Sequence, residues 1–356
     1  EETFTEDKIK KSFFGIVGLL KVEEYGKGKV LRHEKTLPKP KEDRLNLLSS
    51  CRANFEFIYT LYNDNDNKIF KIIERYFNEK PVIETPVNYD PVLKFKMWCI
   101  KNKSDVKNIK EFMKPKTLLI ADGHHRYETS RFYNESINNT SKNQQNNTVS
   151  PEGYILSFFV PGNQENILIH PTHRIINFKQ NISPESFLGK VERYFSIEPL
   201  EEPSAAAIEI KLEAANALNQ KRIVACFKDK NYFLLILNNS LENIYKDLGI
   251  TINNFNNEFE YLDVNILHKL ILENLLGDFN IKELKYSHSI LETLTVLNET
   301  DPTKNEGIVY DTCFILNGPS IKTVENLSVS GMIMPQKSTY FYPKPCSGLV
   351  MYKMDT

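Results

Sequence analysis

Residues 117–128 read Thr117-Leu118-Leu119-Ile120-Ala121-Asp122-Gly123-His124-His125-Arg126-Tyr127-Glu128. The apolar run 117–121 predicts a short strand. Asp122-Gly123 breaks it, and residues 126–136 then have helical character. A strand, a tight turn and a helix in that order make a natural anion site. The helix N-terminus offers free backbone N–H groups and the positive end of its dipole.

Outward from this stretch, the chain alternates between the two kinds of element. Residues 13–20 are apolar, with glycines at 15 and 18, and predict a buried strand. Residues 31–41 hold two prolines and many charges and predict a loop. A helix is expected over 42–52. A second strand over 57–62 is closed by Asn63-Asp64-Asn65-Asp66-Asn67. Residues 137–150 are almost all Asn, Gln, Ser and Thr, cannot bury an apolar face, and predict a mobile surface loop. Residues 154–160 and 166–170 read as two strands joined by a Pro161-Gly162 turn.

Helices are expected over 184–194 and 205–218, and a strand pair over 222–227 and 232–237 around Asp229. Leu267, Leu270, Ile271 and Leu276 recur at helical spacing in 264–276. A strand over 311–316, a helix over 321–329 and a Pro-, Gly- and Lys-rich tail close the chain. The fold class is mixed α and β without internal repeats. At 356 residues, two domains are expected, 1–180 and 181–356, with the tail 331–350 returning to the site.

The composition excludes several classes. Forty-five basic and 46 acidic side chains leave a formal charge of −1, which argues against a general nucleic-acid surface. The five cysteines form no Cys-x-x-Cys pair and read as unpaired thiols in a reducing, cytoplasmic compartment. No apolar run approaches the ~20 residues of a membrane span, and no basic–apolar–small signal opens the chain. Gly-x-Gly-x-x-Gly, Gly-x-Ser-x-Gly and His-Glu-x-x-His are absent, so dinucleotide oxidoreductases, serine hydrolases and zincins lose their main support. The sequence does not fix the oligomeric state.

Four segments carry candidate chemistry. Adjacent side chains point different ways, so His124 and His125 suit a polyphosphate held from two sides better than one metal ion. Arg126 would add charge-assisted bonds, and Asp122 would hold a divalent ion between phosphate oxygens. In Leu31-Arg32-His33-Glu34-Lys35-Thr36, Glu34 lies among cations, stays ionised and can take a proton from a hydroxyl nucleophile. His170-Pro171-Thr172-His173-Arg174, at the end of an expected strand, again pairs imidazole with guanidinium. Met334-Pro335-Gln336-Lys337-Ser338-Thr339, followed by Tyr342-Pro343-Lys344-Pro345, ends like a phosphate loop but lacks the Gly-x-x-x-x-Gly-Lys spacing. Each segment also has a plainer reading: a helix-capping turn, a solvated charge run, a surface turn and a proline-rich loop.

Taken together, the segments resemble a bacterial and archaeal family known as domain of unknown function 1015. The likeness runs through His33-Glu34-Lys35-Thr36-Leu37-Pro38, Asp43-Arg44-Leu45 with Arg52-Ala53-Asn54, residues 121–129, and Pro171-Thr172-His173-Arg174. It continues through Leu262-Asp263-Val264 with Leu267-His268, residues 334–344, and Gly348-Leu349-Val350. Members carry a further N-terminal segment, so the resemblance implies a truncated chain here, with residues 137–150 a local insertion. More distantly, Asp-Gly-His-His-Arg after a strand is similar to the ParB/sulfiredoxin-like fold. Free-serine kinases of that fold use such a turn for nucleotide phosphates and an upstream Glu as base.

That likeness implies a ParB/sulfiredoxin-like N-terminal part with an additional C-terminal α/β part. It implies a kinase-type phosphotransferase using ATP or ADP and Mg²⁺ on a small hydroxyl compound such as free L-serine. Glu34 and His125 would be catalytic. Asp122, Gly123, His124, Arg126, His173, Arg174, Lys337, Ser338, Thr339 and Lys344 would contact phosphates, with Asp122 on the metal. A phosphate hydrolase and a non-catalytic module binding nucleotide or DNA are the alternatives.

Overall fold

The fold is mixed α/β. A computed structural model describes the chain except residues 7–8, 37, 88–89, 141–149, 219, 229, 300, 306 and 355–356. The Leu37 position, the Asp229 turn and most of the loop expected over 137–150 therefore lie outside the described residues. The chain forms two compact units. The first comprises Glu1–Leu168, Val324–Ile333 and Phe341–Thr356; the second comprises Ile169–Thr323 and Met334–Tyr340.

In the first unit, β1 (Glu2–Glu6), β2 (Ile9–Phe13) and β3 (Ile16–Lys21) open the chain, followed by β4 (Val30–Leu31), α1 (Pro38–Cys51), β5 (Ala53–Asn54), β6 (Ile58–Tyr62) and α2 (Phe70–Ile73). Next come β7 (Ile83–Val87), β8 (Asp90–Met97), α3 (Lys103–Met113), β9 (Leu118–Asp122), α4 (His124–Thr140) and β10 (Tyr154–Pro161). A five-stranded sheet in the order β3-β10-β6-β9-β4 forms the centre, and a four-stranded sheet runs β2-β1-β8-β7. Every residue of β6 is buried, as an apolar strand with neighbours on both sides requires. Tyr127 of α4 packs on Ile58, Ile120 and Ile155 of this sheet.

One pairing positions the site. β4 lies parallel to β9, with Val30 opposite Leu118 and Leu31 opposite Leu119. Being parallel, both strands leave the sheet at the same end. The residues after β4 therefore meet those after β9 and the start of α4.

The second unit follows β11 (Leu168–His170) with β12 (His173–Phe178), α5 (Pro184–Val191), β13 (Phe195–Leu200), α6 (Ala205–Ala217), β14 (Arg222–Phe227) and β15 (Asn231–Leu237). Then come α7 (Leu241–Asp247), α8 (Asn257–Glu260), α9 (Asp263–Asn265), β16 (Ile281–Ser287), α10 (Ile290–Asn298) and β17 (Thr312–Ile315). Finally, α11 (Ile321–Val329), β18 (Tyr340–Tyr342) and β19 (Tyr352–Lys353) close the chain, with β19 paired to β5 within the first unit. The second unit's sheet runs β13-β15-β14-β17-β12-β16 and is antiparallel throughout. Its core gathers Ile175, Val224, Cys226, Leu234, Cys313 and Ile315 with Ile208 and Leu212 of α6. All five cysteines are free thiols.

Several local expectations need correction. The strand expected over 13–20 is broken at Phe14-Gly15, between β2 and β3; the chain passes so close to β10 there that a Cβ on Gly15 would stand 2.6 Å from the Phe159 carbonyl oxygen. The loop expected over 31–41 ends early. Pro38 and Pro40 sit in the first turn of α1, where a missing N–H breaks no helical bond. α4 starts at His124 and runs to Thr140, into the expected loop. β10 forms no hairpin with 166–170: β3 and β6 fill both its edges. The helix over 264–276 is π-type from Ile266 to Leu275. The segment 170–174 does lie at the end of a strand, β11, as expected, and its last two residues open the next one, β12.

Candidate functional site

The β4–β9 edge brings two distant motifs together. The backbone N–H of His33 points at His124 Nε2 from 3.5 Å, across 91 positions of sequence. His33 Nδ1 donates to the Ile120 carbonyl at 2.9 Å. The two imidazole rings meet edge-on with centroids 4.6 Å apart.

Glu128 clamps the Glu34 segment onto α4. Its two carboxylate oxygens accept from Thr36 Oγ1 at 2.8 Å and Arg32 Nη1 at 3.3 Å. These two donors flank Glu34 in sequence, so the clamp holds Glu34 over the first turn of α4. Glu34 Oε1 then stands 3.6 Å from His124 Nδ1.

The histidines beside Glu34 are neutral. Burial pushes His33 down to about 4. Burial, with His33, His125, Arg32 and Lys344 nearby, pushes His124 well below the usual imidazole range. A His124 whose Nε2 faces an N–H carries its proton on Nδ1, the atom facing Glu34. Glu34 thus sits beside a neutral N–H.

The cationic side of the candidate site follows β9. Gly123 has φ +94°, and a Cβ there would come within 2.9 Å of Ile58 Cγ2 and 3.0 Å of Arg126 Nε. Only glycine makes this turn without strain. The Gly123 carbonyl accepts the first helical bond, from Tyr127 N–H. The preceding N–H groups of α4 have no acceptor inside the helix and face the turn. Asp122 receives Arg126 Nη2 at 2.7 Å on one oxygen and Lys344 Nζ at 2.6 Å on the other. Arg126 also bonds Glu56. His125 is half-buried, whereas His124 is buried, so the two histidines do point different ways.

The structure thus brings together Glu34, Asp122, Gly123, His124, His125, Arg126 and Lys344 in the first unit. The other expected contacts, His173, Arg174, Lys337, Ser338 and Thr339, belong to the second unit. There His173 is buried, accepts the Leu316 N–H on Nδ1 at 3.3 Å, and has no partner for Nε2 among the described residues. Arg174 is buried and donates to the Lys337 carbonyl at 3.0 Å. Ser338 is buried and donates to the Pro335 carbonyl at 2.6 Å. Lys337 is exposed with φ +56°, and Thr339 is half-buried.

Sequence reasoning left His33, Arg32, Thr36 and Glu128 out of the site. A signal for Glu128 was present: it lies four residues after His124, on the same helix face. For the Glu34 flanks the deciding signal is the strand pairing.

The residues here fit a metal ion only in part. Among the described residues no group of three or more His, Cys, Asp or Glu side chains could hold an ion. Asp122 supplies one carboxylate, and both its oxygens face cations. A divalent ion at Asp122 would have to displace Arg126 or Lys344, so the carboxylate could hold one only where an incoming phosphate takes over those cations.

The family described as "Protein of unknown function (DUF1015)" matches residues 1–265. The chain belongs to this DUF1015 family. No curated protein matches. Among solved structures, a conserved hypothetical protein from Pyrococcus furiosus is similar at 11% identity and TM-score 0.41, over 95% of each chain. A free serine kinase in complex with AMP is similar at 13% identity and TM-score 0.41, over 93% of this chain and 88% of that one. C-terminally truncated SbnI from Staphylococcus aureus is similar at 12% identity and TM-score 0.42, over 94% and 85%. Among the described residues, no helix of this DUF1015 protein is long and apolar enough to cross a membrane.

Proposed function

We propose that this DUF1015 protein is a nucleotide-dependent phosphotransferase acting on a small hydroxyl compound, with free L-serine the first acceptor to test. The observation that carries the reading is the placement of Glu34, a half-buried carboxylate clamped beside a helix N-terminus. Within the same unit, Arg126 and Lys344 converge on Asp122. A base and a cluster of phosphate-binding donors together are what transfer to an alcohol requires.

Glu34 takes the acceptor's hydroxyl proton. The N–H groups of the α4 first turn, Arg126, Lys344 and His125 receive phosphate oxygens. Because Arg126 and Lys344 are held by Asp122, an arriving phosphate exchanges one anion for another instead of meeting bare cations. Mg²⁺, carried on the nucleotide with Asp122 as its protein carboxylate, would neutralise charge on the transferring phosphoryl group. Glu128 keeps Glu34 in place through Arg32 and Thr36, with the neutral Nδ1–H of His124 3.6 Å from its carboxylate.

The test is phosphorus NMR of the protein with ATP or ADP, Mg²⁺ and a pool of small alcohols including L-serine. A new phosphomonoester signal is expected, and omission of alcohols one at a time names the acceptor. Inorganic phosphate alone would make the protein a hydrolase. An unchanged spectrum would leave a nucleotide-binding module. Glu34→Gln should lower turnover about 100-fold or more. Full turnover in both Glu34→Gln and His125→Ala would sink the assignment.

A further inference from the structure

The second unit contains its own cavity of about 420 Å³, within the range of small-molecule sites. Its wall carries both signs of charge, Arg174 and Lys221 against Asp263 and Glu258, and is otherwise rich in hydroxyl and amide groups.

Two of these charges are deeply buried, and the protein neutralises neither well. Arg174 is 1% exposed. Its guanidinium donates to the carbonyls of Thr172 and Lys337 and to His268 Nε2 at 3.3 Å. Among the described residues none of its partners is a carboxylate. Burial lowers it to about 10, so it remains a cation at neutral pH. Asp263 is 7% exposed and accepts the Asn317 N–H at 3.0 Å. Its cationic neighbour, Lys221, stands 3.9 Å away, beyond hydrogen-bond reach. Burial raises Asp263 to about 6, leaving it ionised at neutral pH.

A desolvated charge without a close counter-charge is costly. The fold maintains one of each sign on the wall of one cavity. A ligand with a single charge relieves one and leaves the other. A ligand with both signs relieves both.

We propose that this cavity binds a small zwitterion of the amino-acid class, its carboxylate on Arg174 and its ammonium on Asp263. The inference stands independently of phosphate transfer in the first unit, because it rests on residues of the second unit alone. The π-helical run Ile266–Leu275 begins just past Asp263 and supplies His268 to Arg174. Such helices recur at functional sites.

The test is isothermal titration calorimetry of the full chain against single L-α-amino acids. β-Alanine and γ-aminobutyrate vary the spacing between the charges. Each zwitterion is compared with the amine that lacks its carboxylate and the acid that lacks its amino group. At least one zwitterion should bind, with both single-charge analogues about tenfold weaker or more. Arg174→Gln and Asp263→Asn should each weaken it by about tenfold or more.

Both residues are buried, so their variants risk misfolding. Thr323→Phe, on the half-buried cavity wall, fills the space instead and should abolish binding while the chain still melts cooperatively. Absence of heat with every zwitterion would overturn the proposal. So would analogues that bind as tightly as the zwitterion, or undiminished affinity in a folded Thr323→Phe.

Discussion

The pair His125-Arg126 in the first unit and the pair His173-Arg174 in the second are the same dipeptide in two settings. Arg126 stands in the first turn of a helix, its side chain 21% exposed, bonded to the carboxylates of Asp122 and Glu56. Arg174 stands in β12, between β17 and β16, 1% exposed and bonded to carbonyls and an imidazole. The first guanidinium is already compensated and must change partners to take a ligand anion. The second has no carboxylate partner among the described residues and would gain a counter-anion from a bound ligand. A dipeptide therefore names a chemistry but not its energetics, which follow from depth and partners.

Substitutions in the two settings should differ in their cost. The largest effect belongs to Arg174→Ala, which empties a buried volume and strips two carbonyls of a charged donor. Chemical denaturation should show a loss of about 3 kcal/mol or more. Glu34→Gln comes next, its roughly 100-fold loss of turnover corresponding to about 2.7 kcal/mol of activation free energy. Its melting temperature should stay near wild type, since Glu34 is clamped through its neighbours' bonds.

The pH dependence follows from buried histidines in both units. His33 and His268 are pushed to about 4 and His173 to about 3, and His124 lies well below its ordinary value. The unfolded chain takes up those protons near 6.5 and the folded chain does not. This stability is complete above the unfolded value and is lost as pH falls toward 4. Glu2 and Asp263, raised by burial to about 7 and about 6, act in the opposite sense. Their contribution is present at low pH and lost as pH rises through those values. Four groups outweigh two below pH 6. Stability should then fall by about 2 kcal/mol per pH unit between 6 and 5, read by denaturant titration at each pH.

Gly123→Ala forces a Cβ into a positive-φ turn against Ile58 and should cost about 1–2 kcal/mol. Arg126→Ala should cost about 1 kcal/mol or less, because its ion pairs are part-exposed. Equal losses for Arg126→Ala and Arg174→Ala would erase the distinction between the two settings.

The strand, turn and helix around Asp122-Gly123 were readable because an apolar run, a glycine and a polar-faced helix succeed one another within twenty residues. The same local logic located α11 and the β14–β15 hairpin. The sheet β2-β1-β8-β7 was not read. Its strands carry residues such as Glu84 and Pro86, which locally oppose strand formation. Tertiary pairing overrides that preference.

The amino-acid sequence by itself determined the chemistry at hand: a glycine turn after a buried strand, two histidines and an arginine at a helix start, and a carboxylate among cations upstream. Those facts depend on residues close in sequence, where backbone preference and side-chain type act directly. Tertiary structure decided which of them meet and in what charge state. The parallel β4–β9 pairing brings Glu34 to His124 across a separation that no local periodicity encodes. Burial keeps His33 and His124 neutral. Burial likewise isolates Arg174 and Asp263, because desolvation is a property of the surrounding fold rather than of the residue.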